Sequence, residues 1–205
     1  MKAYQWFALA AKSQQAATPR ILAETTAPDP AIALSRLVRN FDSMFLLGDP
    51  PDYEQPFSQS IAARAGRLGV TPEALAYDLL LEQAGRNTLY TTLCNYAGGN
   101  LETSLEMMRH PATVLGLGDG GAHCGTICDA ASPTFMLQHW VRDRKKARIG
   151  LENAIKRQCR DTALLYHLED RGLIAPGYLA DINVIDMTKI KLGKPWLAFD
   201  LPAGG

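Results

Sequence analysis

From Gly69 onward the apolar and polar positions fall into recognisable periods. Thr71-Pro72-Glu73 sets a capping hydroxyl, a proline and an early acid ahead of ALAYDLLLEQ, whose apolar residues recur with helical spacing. The pattern predicts a helix that Gly85 closes. NTLYTTLCNY (87–96), rich in Thr, Tyr and Leu, predicts a strand that runs out into a Gly98-Gly99 loop. Asn100 then caps the helix LETSLEMMRH, which ends at the pre-proline His110, and ATVLGLG (112–118) has the length of a buried strand. Helix, strand, helix, strand is the order of parallel βα units. Further on, Ser132-Pro133 opens a helix to about Arg142, and a longer one spans Gly150 to about Leu168. After the turn at Pro176-Gly177, LADINVID (179–186) predicts an exposed, mainly antiparallel strand. Residues 1–60 are the least regular, with turns at Thr18-Pro19, Asp29-Pro30 and Gly48-Asp49-Pro50-Pro51-Asp52 around helices near 2–16 and 30–40.

Composition narrows the classes. At 205 residues and 47% hydrophobic, the chain has the size of one domain, or of one domain with a small appendage, and enough apolar residues for a core. Lys plus Arg and Asp plus Glu balance at 21 each, which removes the electrostatic surplus a general nucleic-acid binder needs. The basic cluster RDRKKAR (142–148) reads as a solvated helix end or loop. No apolar run reaches the ~20 residues of a membrane helix and the start lacks a signal peptide's apolar core, so the expectation is a soluble, cytoplasmic protein with no membrane partner. Cys94, Cys124, Cys128 and Cys159 are too few for a disulfide framework and read as free thiols.

The stretch VLGLGDGGAHCGTIC (114–128) concentrates the candidate chemistry. Gly116, Gly118 and Gly121 satisfy G-x-G-x-x-G, but Gly125 and Ser132-Pro133 break the helix whose amides would meet a pyrophosphate, and FMLQHWVRDR replaces the second strand. Cys124 and Cys128 beside His123 have zinc-tolerated spacing without the second ligand pair; His139, Cys159 and His167 could join only through folding. Asp119 falls where a parallel strand ends, the place where βα architectures carry chemistry, and Gly118, Gly120 and Gly121 clear side-chain bulk around it. A carboxylate there can ligate a divalent metal or move a proton, or it can close an Asx turn by bonding nearby amides.

Together with FDSMFLLGDPPDYEQ, NYAGGNLETSLEMMRHP and LIAPGYLADINVID, this stretch resembles the D-aminoacylase-like (N-acyl-D-amino-acid deacylase) branch of the amidohydrolase superfamily over about residues 20–205. The resemblance implies an α/β protein, the C-terminal part of a (β/α)8 barrel over residues 1–172 with part of a small β-sandwich over 173–205. It implies a hydrolase of carbon–nitrogen bonds in non-peptide amides, in which zinc or another divalent metal activates water. Asp119 matches the proton shuttle and metal-site aspartate. His123, Asn95, Tyr96 and Gly120 would line the site for a small N-acyl amino acid.

The family's H-x-H metal pair is absent, with histidines only at 110, 123, 139 and 167. The expectation is therefore an incomplete, inactive fragment of a parent enzyme that binds zinc weakly or not at all. Its uncovered strand edges favour a homo-oligomer. A non-catalytic α/β binding or assembly module is the alternative, and a dinucleotide-binding protein a third.

Overall fold

A computed structural model of the protein describes residues 14–24, 39–116 and 129–196. The chain divides into two compact units, Met1–Ser104 and Leu105–Gly205. Among the described residues no helix is long and apolar enough to cross a membrane.

In the first unit, helix α1 spans Gln14–Ala23 and contains Pro19, where the dipeptide Thr18-Pro19 predicts a turn. The helix formers on either side outweigh the proline, which leaves the Gln15 carbonyl without its helical donor. Nearly all of the expected helices near 2–16 and 30–40 falls outside the described residues. Strand β1, Met44–Leu47, lies in a stretch that the sequence pattern leaves irregular. Helix α2, Ile61–Leu68, starts where Ser60 Oγ accepts from the Ala63 amide at 3.2 Å, and stops as Val70 N–H reaches back to the Ala65 carbonyl at 3.1 Å. Helix α3, Pro72–Gly85, begins as the sequence predicts, Thr71 Oγ1 accepting from the Ala74 amide at 3.2 Å. Its regular part ends before Gly85, because Glu82, Gln83 and Ala84 leave helical dihedrals. The Asn87 side-chain amide closes that end by donating to the Leu79 carbonyl at 2.9 Å. Strand β2, Thr88–Thr91, follows.

β1 and β2 form an antiparallel pair, Met44 facing Thr91 and Leu47 facing Thr88. The one pairing β2 makes among the described residues is therefore antiparallel, not the parallel one expected of βα units: two helices, α2 and α3, rather than one crossover helix separate the paired strands. Met44 and Leu46 face the core that α2 and α3 build with the i, i+4 pairs Ile61/Ala65 and Leu75/Leu79, together with Ala76. Each fully buried Leu or Ile contributes about 1.5–3 kcal/mol of transfer free energy there.

Helix α4, Glu102–Arg109, contains the boundary between the units; Asn100 Oδ1 caps it through the Glu102 amide at 3.0 Å. In the second unit, residues 113–116 form no strand, contrary to the expectation for 112–118, whose last two residues lie outside the described ones. The Thr113 and Leu115 carbonyls, which a ladder would use, are taken by the side chains of Arg157 and Thr162. Helix α5, Ser132–Phe135, widens into a π-helical stretch, Met136–Asp143. Helix α6, Leu151–Lys156, does the same over Arg157–Asp161 and continues as α7, Thr162–Leu165. Both fall where helices are predicted. Met136, Leu137, Trp140, Ile149, Ala154 and Ala163 are their buried residues.

Residues 179–186 are exposed as expected but form no strand, since no described segment offers them a ladder partner. The chain then turns at Asp186, whose Oδ1 accepts from both the Thr188 amide and hydroxyl, while Arg142 donates to the Met187 and Ile190 carbonyls at 2.7 and 2.8 Å.

Candidate active site

Strand alternation sends Phe45 to the face opposite Met44 and Leu46, where it is fully buried in an aromatic group. It stacks on its cross-strand partner Tyr90 at 5.4 Å between centroids and on Phe57 at 6.4 Å, and meets Tyr96 edge-on at 6.2 Å. Tyr53 stands edge-on to Tyr90 at 5.6 Å. Such pairs add about 0.5–1.5 kcal/mol each beyond the area they bury.

The loop from Gly48 to Pro56 is laid against this group by hydrogen bonds. Gln55 Nε2 donates to the Leu46 carbonyl at 2.9 Å and to the Asp52 carbonyl at 3.1 Å. The Tyr90 hydroxyl donates to the Asp52 carbonyl at 3.3 Å, and the Tyr96 hydroxyl to the Gln55 carbonyl at 2.6 Å. Glu54 Oε1 accepts from the Leu101 amide at 3.1 Å, which ties the loop to the start of α4. Gly99, at φ +64°, makes this close approach possible, since a Cβ there would stand 2.9 Å from the Phe57 ring.

Two carboxylates, Asp52 and Glu54, thus lie beside two phenols. Burial pushes both phenols well above the ordinary tyrosine range; the neighbouring Tyr96 and then Asp52 add to the effect on Tyr90, and Glu54 and then Asp52 to that on Tyr96. Both therefore stay protonated donors at neutral pH.

Of the residues expected to line the site, Asn95 and Tyr96 belong to this unit. They sit beyond the end of β2 and diverge: Asn95 is exposed in a left-handed conformation at φ 58°, and Tyr96 is buried at 5% exposure. Asp119, Gly120 and His123 lie outside the described residues. Phe45, Tyr53, Gln55 and Tyr90 receive no role in a reading of the sequence; the apolar run MFLL ahead of Gly48-Asp49-Pro50-Pro51 was the signal that could have marked them.

In the second unit, the described chain leading toward Asp119 ends at Gly116, and it is held from α6 and α7. The Arg157 guanidinium donates to the Thr113 carbonyl at 2.6 Å, to Thr113 Oγ1 at 2.9 Å and to the His110 carbonyl at 3.3 Å. Thr162 Oγ1 donates to the Leu115 carbonyl at 3.2 Å. Arg157 is 8% exposed and its Nε is buried without a partner among the described residues, where its charge is met by carbonyl and hydroxyl oxygens. His139 is stacked on Phe135 at 4.7 Å, and Arg144 lies over Trp140 at 4.7 Å. Cys94 and Cys159 are free and exposed.

Among the described residues no three His, Cys, Asp or Glu side chains gather closely enough to hold a metal ion. The described donor set does not fit the divalent metal implied by the sequence, and Asp119 lies outside it.

The sequence profile of the amidohydrolase family matches residues 52–200, most of the chain. The match begins in the loop that packs on the aromatic group and takes in the Arg157-held approach and the GDGGAH stretch. Comparison with curated proteins and with solved structures gives no match. On this match over residues 52–200, the chain belongs to the amidohydrolase family, a family of hydrolases that generally use divalent metals.

Proposed function

We propose that the chain is part of a hydrolase acting on a carbon–nitrogen bond of a non-peptide amide, with an N-acyl-D-amino acid as substrate. The observation that carries this reading is the family match over residues 52–200, which includes Asp119 in its GDGGAH setting. In this reading Asp119 is the proton shuttle: its carboxylate takes a proton from the attacking water and returns it to the departing amine. Gly120 leaves room for the acyl group, and His123, Asn95 and Tyr96 belong to the substrate side.

The accompanying fold is a (β/α)8 barrel segment over 1–172 and a β-sandwich segment over 173–205, α/β in class. The antiparallel β1–β2 pair is not part of such a barrel's parallel ladder, which needs strands besides those described. The chain has four histidines and no H-x-H pair, so the metal donors would also come from outside these 205 residues.

The test is amine release from N-acetyl-D-leucine and its L enantiomer in the presence of zinc. The chain alone is expected to be inactive. A polypeptide extended through an upstream reading frame that encodes an H-x-H pair is expected to favour the D enantiomer, and Asp119→Asn to lower its kcat by about 10²–10⁴. Unchanged turnover in Asp119→Asn would sink the proton-shuttle role. Preference for the L enantiomer would sink the substrate class.

A further inference from the structure

Two side chains five residues apart reach one short segment of the second unit. Arg157 Nη2 donates to the Thr113 carbonyl at 2.6 Å and to Thr113 Oγ1 at 2.9 Å, while the Thr162 hydroxyl shares its proton between the Leu115 carbonyl at 3.2 Å and the Arg157 carbonyl at 3.0 Å. In a regular α-helix, residues five apart point about 140° away from one another. The π-helical stretch Arg157–Asp161, with its i to i+5 register, turns them to the same side. The helix changes register at this place, and the side chains that the change aligns are the two that hold residues 113 and 115.

The Arg157 guanidinium is buried and meets no carboxylate among the described residues, so its charge goes to backbone and hydroxyl oxygens. Such charge-assisted bonds are about twice as strong as neutral ones, and fixing two alternate peptide groups sets both the place and the direction of the chain beyond them. Asp119 lies four residues past Leu115, outside the described residues, and four residues span at most about 14 Å. A proton shuttle has to stay within reach of both the attacking water and the departing nitrogen, and about 1 Å of misplacement costs about 10²-fold in rate.

We propose that Arg157 and Thr162 are positioning residues for the proton shuttle: from one π-helical turn they fix the Thr113 and Leu115 carbonyls, and with them the course of the chain that delivers Asp119. The role of Asp119 rests on the hydrolase reading, whereas the grip on the chain does not. Neither residue is catalytic, since both act on the backbone ahead of the carboxylate.

Hydrogen–deuterium exchange of the 205-residue chain, read by mass spectrometry at labelling times of seconds, tests it. Amides exposed only by global unfolding stay unlabelled at such times, so the readout is local. In Arg157→Met, a peptide covering 112–121 is expected to exchange about tenfold faster than in the wild type or more, with residues 151–165 unchanged. Arg157→Lys should restore part of the protection. Thr162→Val, which removes the hydroxyl at nearly constant volume, should lose part of it, and it serves as the test if Arg157→Met does not fold. Equal exchange of 112–121 in the wild type and the variants overturns the proposal. So does an acceleration shared equally by 151–165, which would make the pair a prop for the whole unit. Failure of the hydrolase reading looks different: full turnover of the extended polypeptide carrying Asp119→Asn, with the localised exchange intact, overturns the shuttle and leaves the grip on the chain.

Discussion

Tyr96 and Tyr77 are both buried, at 5% and 4% exposure, but among the described residues only one of their hydroxyls has a partner. Tyr96 donates to the Gln55 carbonyl at 2.6 Å, whereas the Tyr77 hydroxyl is buried with none among the described residues. Tyr96→Phe is therefore expected to destabilise the protein by about 1 kcal/mol, and Tyr77→Phe to be neutral or slightly stabilising, as read from urea midpoints at about pH 8. The two phenols held above the ordinary tyrosine range also fix a pH dependence. Folded Tyr90 and Tyr96 keep their protons after the unfolded chain has released its own, so their contribution is complete below about pH 10 and is lost as pH rises beyond it. The urea midpoint should fall above about pH 10 in the wild type, and fall less steeply in Tyr96→Phe. The sequence does mark Tyr96, through its position after a predicted strand and within NYAGGN. It does not reveal the hydroxyl's acceptor, because Gln55 arrives from 41 residues upstream and only the packing of the intervening helices brings it there.

At the scale of elements, local chemistry was legible and long-range pairing was not. The caps at Thr71 and Asn100 and the pre-proline stop at His110 act within a few residues, and each fell where the sequence placed it. The fate of 112–116 depended on Arg157 and Thr162, more than forty positions away, whose side chains occupy carbonyls that a strand would have offered to a neighbour. This clamp makes a testable claim. Arg157→Met leaves the Thr113 carbonyl without its charged donor and is expected to destabilise by about 2 kcal/mol; Arg157→Lys should recover only part of that, since one ammonium does not reproduce the guanidinium's planar fork. Gly172 has a comparable role between α6 and the tail. At φ +75°, a Cβ on it would stand 2.7 Å from the Cys159 carbonyl carbon and 2.8 Å from Arg160 backbone atoms, none of which is the end of a flexible side chain. Gly172→Ala should therefore cost about 1–3 kcal/mol in thermal or urea unfolding. A cost near zero would mean that the π-helical turn beside it yields easily.

For the whole molecule, the family was legible because four separated stretches agreed, and the match over residues 52–200 spans most of them. The donor set of a metal site was not legible in the same way, since such a site gathers residues from distant parts of a sequence. A tightly held zinc ion takes three or four protein ligands, and one carboxylate among solvent ligands binds far more weakly. Asp119 is the metal-site residue that the family resemblance assigns within this chain, and no described cluster supplements it. The expected outcome is that the purified chain carries well under one zinc per molecule after dialysis, and that a chelator leaves its melting temperature unchanged. Two variants separate the ways in which this could fail. Stoichiometric zinc that is lost in Asp119→Asn would mean that the chain completes the hydrolase site by itself, and the claim that donors lie outside it would fall. Stoichiometric zinc retained in Asp119→Asn but lost in a Cys124→Ser, Cys128→Ser double variant would assign the metal to the thiols beside His123, a structural site unconnected with the shuttle.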